Sequence, residues 1–161
     1  MPHKGFTLIE ILVTTTIISL LAVGAFVSYQ GLGASSRNSK RKADLEQIRS
    51  AIEFFRNNNA YGSYPDSGDL SVSCSSTGGI TDGTNTYLTK IPRDPSCSTY
   101  TYYYAPADAS GGGCDSSSNA DPCVSYTVGA FLEKTTDAAC TTGSACGTVD
   151  CTYCAGPAGQ L

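Results

Sequence analysis

One carboxylate stands out by position. Residues 6–27 read FTLIEILVTTTIISLLAVGAFV, and Glu10 is the only charge among them. An ionisable group at that depth in an apolar helix costs roughly 2.5–3.5 kcal/mol on insertion scales and is functional by default. Pairing with a cation makes the cost tolerable, and such a pair sets register more than net stability. The other reactive residues are eight cysteines, all beyond residue 73: Cys74, Cys97, Cys114, Cys123, Cys140, Cys146, Cys151 and Cys154. An even count in a Gly/Ser-rich region behind an apolar segment implies disulfides made in an oxidising compartment. Sequence proximity favours Cys74–Cys97, Cys114–Cys123 and two bridges within the last four, whose partners stay open. Cys151-x-x-Cys154 with Cys140 and Cys146 has the composition of a Cys₄ zinc site but only one tight pair, and structural zinc sites usually show two. A redox dithiol there would want a βαβ frame, which the flanking residues do not suggest.

Catalytic chemistry finds little support. The single histidine, His3, precedes the apolar run, so Ser-His and Cys-His nucleophile pairs and histidine metal ligands are missing from the rest of the chain. No Gly-rich phosphate loop follows a strand, and Gly111-Gly112-Gly113 reads as a turn. We expect no enzyme, no cofactor and no metal. The tyrosines from Tyr100 to Tyr104 have the chemistry to stack on a sugar or base, but sheet packing is the simpler use.

Charge and composition divide the 161 residues sharply. Between Arg37 and Arg56 six Lys/Arg face three Asp/Glu, a net of +3, whereas from Asn57 onward three face ten, a net of −7. An acidic distal region repels nucleic acid, so no specific nucleic-acid partner is expected. The cluster Arg37, Lys40, Arg41 and Lys42 alone suits phosphate, and reads more simply as a solvated helix face near lipid headgroups or a neighbour's acidic patch.

These groups need elements to position them. The apolar run is about 22 residues, enough at ~1.5 Å per residue to cross a ~30 Å hydrocarbon core. Leu45, Ile48, Ile52 and Phe55 then recur at helical spacing, which predicts an amphipathic continuation with Arg41, Glu46, Arg49, Glu53 and Arg56 on its other faces. Asn57-Asn58-Asn59, Gly62 and Pro65 end it. In the remainder, Thr99–Tyr104 and the alternation Val124, Tyr126, Val128, Ala130, Leu132 predict two strands forming an antiparallel hairpin over the Leu45–Phe55 stripe. The fold class is therefore α+β: a long N-terminal helix packed on a small antiparallel sheet with disulfide-rich loops. The expected divisions are 1–5, 6–27, 28–59 and a head at 60–161.

Three readings compete for the N-terminus: a plain membrane anchor, a secretory signal cut after Val23-Gly24-Ala25, and a short leader cut after Gly5. Neither of the first two has a use for Glu10. A cut after Gly5 creates an α-amino group on Phe6, which a carboxylate four residues along can neutralise on an adjacent subunit. Lys4-Gly5-Phe6-Thr7-Leu8-Ile9-Glu10 resembles the prepilin peptidase site of the type IV pilin superfamily, closely over residues 4–27 and more weakly to about 105. The order helix, loop, Tyr64-Pro65, Leu88-x-x-Ile91-Pro92-x-Asp94-Pro95, Tyr-rich strand, strand is similar to the major pseudopilin of type II secretion and related small pilins.

The resemblance implies cleavage between Gly5 and Phe6, N-methylation of Phe6 and an assembly role for Glu10. It implies a single-pass inner-membrane protein with its head in the periplasm or outside the cell, later in a filament. The implied partners are copies of itself and other pilin-like subunits, prepilin peptidase, an inner-membrane assembly platform and its ATPase. The work is type II protein secretion, or pilus functions such as adhesion, motility or DNA uptake, with a tip subunit that binds a surface as a further alternative. A monomeric secreted protein would instead begin at Phe26. Two departures matter: Ala22–Tyr29 lacks the proline many members carry, and residues 134–161 hold only Asp137 and Asp150 where major pseudopilins typically bind calcium. The expectation is that disulfides fasten this tail in calcium's place.

Overall fold

The computed structural model describes residues 5–70, 72–134, 140 and 143–161; residues 1–4, with His3 and Lys4, and Asp137 lie outside them. The chain divides into two compact units, 1–36 and 37–161. Helix α1, Leu8–Asn58, contributes to both. The strands, all in the second unit, are β1 (Ile80–Thr81), β2 (Thr86–Leu88), β3 (Tyr103–Ala107), β4 (Ser125–Ala130), β5 (Tyr153–Gly156) and β6 (Gly159–Gln160). This is the α+β class.

In the first unit, Leu8–Phe26 is a 19-residue stretch of mean hydropathy 2.1 with no side chain buried. Its hydroxyls are satisfied within the helix: Thr14, Thr15 and Thr16 donate to the carbonyls of Ile11, Leu12 and Val13, and Ser19 to that of Thr15, at 2.7–3.0 Å. Such back-bonding makes a Thr-Thr-Thr run compatible with hydrocarbon, where an unpaired polar group is costly.

In the second unit, Leu45, Ile48, Ala51, Ile52 and Phe55 of α1 are buried with Tyr126, Val128, Ala130, Tyr153 and Ala155 of the sheet. The sheet runs β3-β4-β5-β6, antiparallel throughout. Alternation along β4 sends Tyr126, Val128 and Ala130 into the core that holds the helix stripe and turns Gly129 to the opposite face. Cys154, opposite Gly129 in register, lies on that second face in a smaller cluster with Cys146 and Cys151, flanked by Tyr103, Phe131 and Cys140. The bridges are Cys74–Cys97, Cys114–Cys123, Cys140–Cys154 and Cys146–Cys151. The last two resolve the pairing left open by spacing.

Two expectations need correction and one, the hairpin, is extended. The strand expected from Thr99 starts only at Tyr103, because Tyr102 turns inward and its hydroxyl donates to Asp44 at 2.6 Å. The hairpin of β3 and β4 is half of a four-stranded sheet, completed by tail residues whose short side chains (Cys, Ala, Gly) show no strand pattern. Arg41 is not on a solvated face, being fully buried.

Candidate functional site

The N-terminus of α1 is built by a reciprocal cap. Thr7 stands immediately before the helix. Its N–H and hydroxyl both donate to Glu10 Oε2 at 2.8 Å, and the Glu10 N–H donates to Thr7 Oγ1 at 3.3 Å. This is a capping box, which satisfies two backbone donors that the first turn would otherwise leave open. The Thr-x-x-Glu spacing was in the sequence, but the depth of Glu10 in the apolar run drew attention away from so local a role. Gly5 and Phe6 precede the cap, both exposed, Phe6 at 84%. Apart from its chain neighbours, no heavy atom among the described residues lies within 4 Å of where a Gly5 side chain would begin. The peptide bond between them is thus open to solvent, one residue ahead of the capping threonine.

The second unit holds a charged cluster that the basic-patch reading did not foresee. Arg41 Nε and Nη2 donate to the two oxygens of Asp94 at 2.7 and 3.1 Å, and Nη1 donates to Glu133 at 2.9 Å and to Asn38 at 3.2 Å. Arg37 adds two further contacts to Glu133. Hydrogen bonds from Arg37, then Arg41, hold the Glu133 carboxyl down to about 2. Lys40 pairs with Asp44 at 2.8 Å, and Lys42 Nζ sits 5.0 Å from the centre of the Tyr153 ring. Each of the four cations has an intramolecular partner. The cluster is therefore an internal clamp, and its acidic partners lie on the same chain.

Nor is the tyrosine run a stacking platform. Tyr102 is buried, Tyr100 stacks on Phe131 at 4.5 Å beneath the Arg41 guanidinium, and Tyr104 donates to the Pro65 carbonyl. Further along the helix, Tyr126 and Tyr64 both donate to Glu53. Burial first, and Glu53 next, push both phenols above their ordinary value.

The eight cysteines come together in pairs, and no cysteine is free. Cys140 is tied to β5 through Cys154, and Cys146–Cys151 closes a loop between them, packed with Tyr103 and Phe131 on the face of the sheet away from the helix.

The chain thus places an apolar helix led by Gly-Phe-Thr-Leu-Ile-Glu before a disulfide-stapled α+β head in sequence. Residues 1–26 match the prokaryotic N-terminal methylation motif. Over 51 residues the chain is 44% identical to type IV major fimbrial protein FimA of Dichelobacter nodosus, and further FimA sequences of that organism match equally. The alignment covers 32% of this chain and about a third, 32–33%, of those relatives. No solved structure matches. The motif and the fimbrial likeness support a place for the chain in the type IV pilin superfamily.

Proposed function

We propose that the chain is a structural subunit of a type IV-like filament, inserted in the inner membrane through Leu8–Phe26, cut between Gly5 and Phe6, and N-methylated at Phe6. One observation carries this reading: an otherwise charge-free, fully exposed apolar helix keeps a single carboxylate, Glu10, four residues after the exposed Gly5–Phe6 bond. In the separate subunit the Thr7 donors hold that carboxylate at the positive end of the helix, which lowers the penalty of carrying it in lipid. After cleavage the new Phe6 amine is a stronger partner than a neutral amide. Glu10 then exchanges a local cap for a neighbouring subunit's terminus, which gives the filament its axial register. Prepilin peptidase, the assembly platform and its ATPase are the partners this processing requires.

The Leu88–Pro95 stretch inclines the reading toward a type II secretion pseudopilus, while likeness to fimbrial proteins favours a pilus. Either way the divisions at 1–5, 6–27, 28–59 and 60–161 follow from the proposed processing and helix. Mass spectrometry of the mature chain tests the proposal: the expected N-terminus is methylated Phe6, and a terminus at Met1 or Phe26 overturns it. Glu10→Ala should insert in the membrane and yet form no filaments.

A further inference from the structure

The second unit carries a cleft of about 610 Å³ between the end of α1, the β1–β2 turn and the segment around Ser116, within the ~300–1,000 Å³ range of small-ligand sites. From its shape and unspent polar groups we infer that it binds a neutral saccharide. This inference concerns the head alone and stands or falls separately from the filament proposal.

The argument begins with Tyr61. It lines the cleft at 47% exposure, belongs to neither buried cluster, and its hydroxyl has no partner among the described residues. Yet its backbone is fixed. Asn59 Oδ1 accepts from the Tyr61 N–H at 2.8 Å and from the Ser63 N–H at 3.4 Å, while Asn59 Nδ2 donates to the Ser116 carbonyl at 3.2 Å. A half-exposed ring on a rigid turn offers a flat apolar face for the C–H side of a pyranose, with a polar tip for its hydroxyls.

Around it, Asn58 Oδ1, one oxygen of Asp69 and the Thr84 hydroxyl are likewise unspent, since Asn58 uses only its amino group and Asp69 only Oδ2. These acceptors and hydroxyls suit vicinal sugar hydroxyls. The other ligand classes fit less well. Asp69 and Asp82 disfavour an anion, and these carboxylates with the amides of Asn58 and Asn59 disfavour a lipid tail. A divalent cation needs six or more oxygens, but both Asp82 oxygens are taken by donors from Thr84, Asn85 and Tyr87.

Saturation-transfer difference NMR on the full chain, in a zwitterionic detergent free of sugar headgroups, tests this with lactose, cellobiose, N,N′-diacetylchitobiose and, as the anionic control, 3′-sialyllactose. At least one neutral disaccharide should bind saturably, and more tightly than the sialylated probe. Tyr61→Ala should weaken that binding at least about tenfold, equal to ~1.4 kcal/mol. Tyr61→Phe should retain most of it, Thr84→Ala should weaken it more mildly, and near-UV circular dichroism should show all three folded. No binding by any neutral probe, an unchanged titration for Tyr61→Ala, or preference for the sialylated probe overturns the assignment.

Discussion

Replacing Arg41 with Met tests how the helix and the head are joined. Arg41 and Asp94 side chains are both fully inaccessible, and their two forked contacts are supplemented by Glu133 and Asn38 on the Arg41 side. Met fills much of the same volume but leaves the Asp94 carboxyl buried and held only by the Ser96 N–H at 2.6 Å. Stranding one member of a buried pair typically costs ~3–5 kcal/mol. Replacing both, as in Arg41→Met with Asp94→Leu, removes the stranded charge and should fall within about 1 kcal/mol of the native chain or above it. The chain has ten tyrosines and no tryptophan, so near-UV circular dichroism of the oxidised full-length protein in detergent follows unfolding by guanidinium. With a slope of ~3 kcal/mol/M, the single variant should lose about 1–1.7 M in midpoint and the double variant should recover most of it. A loss under about 0.3 M, or a double variant no better than the single, would refute the reasoning, because the cycle isolates the coupling only if the pair is closed and dry.

Two further outcomes follow from the same unit. The Glu133 carboxyl sits at about 2 when folded against an ordinary value near 4.5, so its stabilisation is complete above ~4.5 and is lost as pH falls toward 2; Glu133→Gln should flatten the midpoint-versus-pH curve in that window. Gly129→Ala should cost ~1–3 kcal/mol by overpacking, since its Cβ would stand 2.8 Å from Cys154 Sγ and 3.0 Å from Cys151 Sγ, whereas Gly78→Ala, with nothing within 4 Å, should leave the same guanidinium midpoint unmoved.

What the chain discloses to a reader depends on whether its cause is local. The apolar run is a signal of length and composition, the stripe of Leu45, Ile48, Ile52 and Phe55 and the alternation from Tyr126 to Ala130 are period signals, and each lies where its signal indicates. The Asp82-Gly83 turn between β1 and β2 carried a hairpin signal too, hidden by strands of only two and three residues. β5 was illegible because nothing in Tyr-Cys-Ala-Gly marks a strand. It is a strand because β4 offers an open edge that it pairs with, and Tyr153 and Ala155 bury in the core from it, while two disulfides close loops within the tail that leads to it. Arg41 illustrates the same limit with charge: from a helical wheel it is one cation among four, and only the loops bearing Asp94 and Glu133 decide that it is buried.

Those loops explain why a charged clamp stands where it does. From Leu45 to Phe55 the helix has large apolar residues to seat on the sheet, but Arg37-Asn38-Ser39-Lys40-Arg41 has none. Without another device, the segments leading into β3 and out of β4 would meet only polar helix there. Arg41 reaches Asp94, ahead of β3, and Glu133, beyond β4, from one position, while Asn38 accepts from the Glu133 N–H and donates to its carbonyl. Arginine suits this because its planar fork serves two carboxylates at once, which lysine's single ammonium does not. Apolar burial holds the middle of the head to the helix and disulfides close the loops of its tail; at the Arg37 end the buried Arg41–Asp94 pair, with part-exposed contacts from Arg37 and Arg41 to Glu133, does the joining.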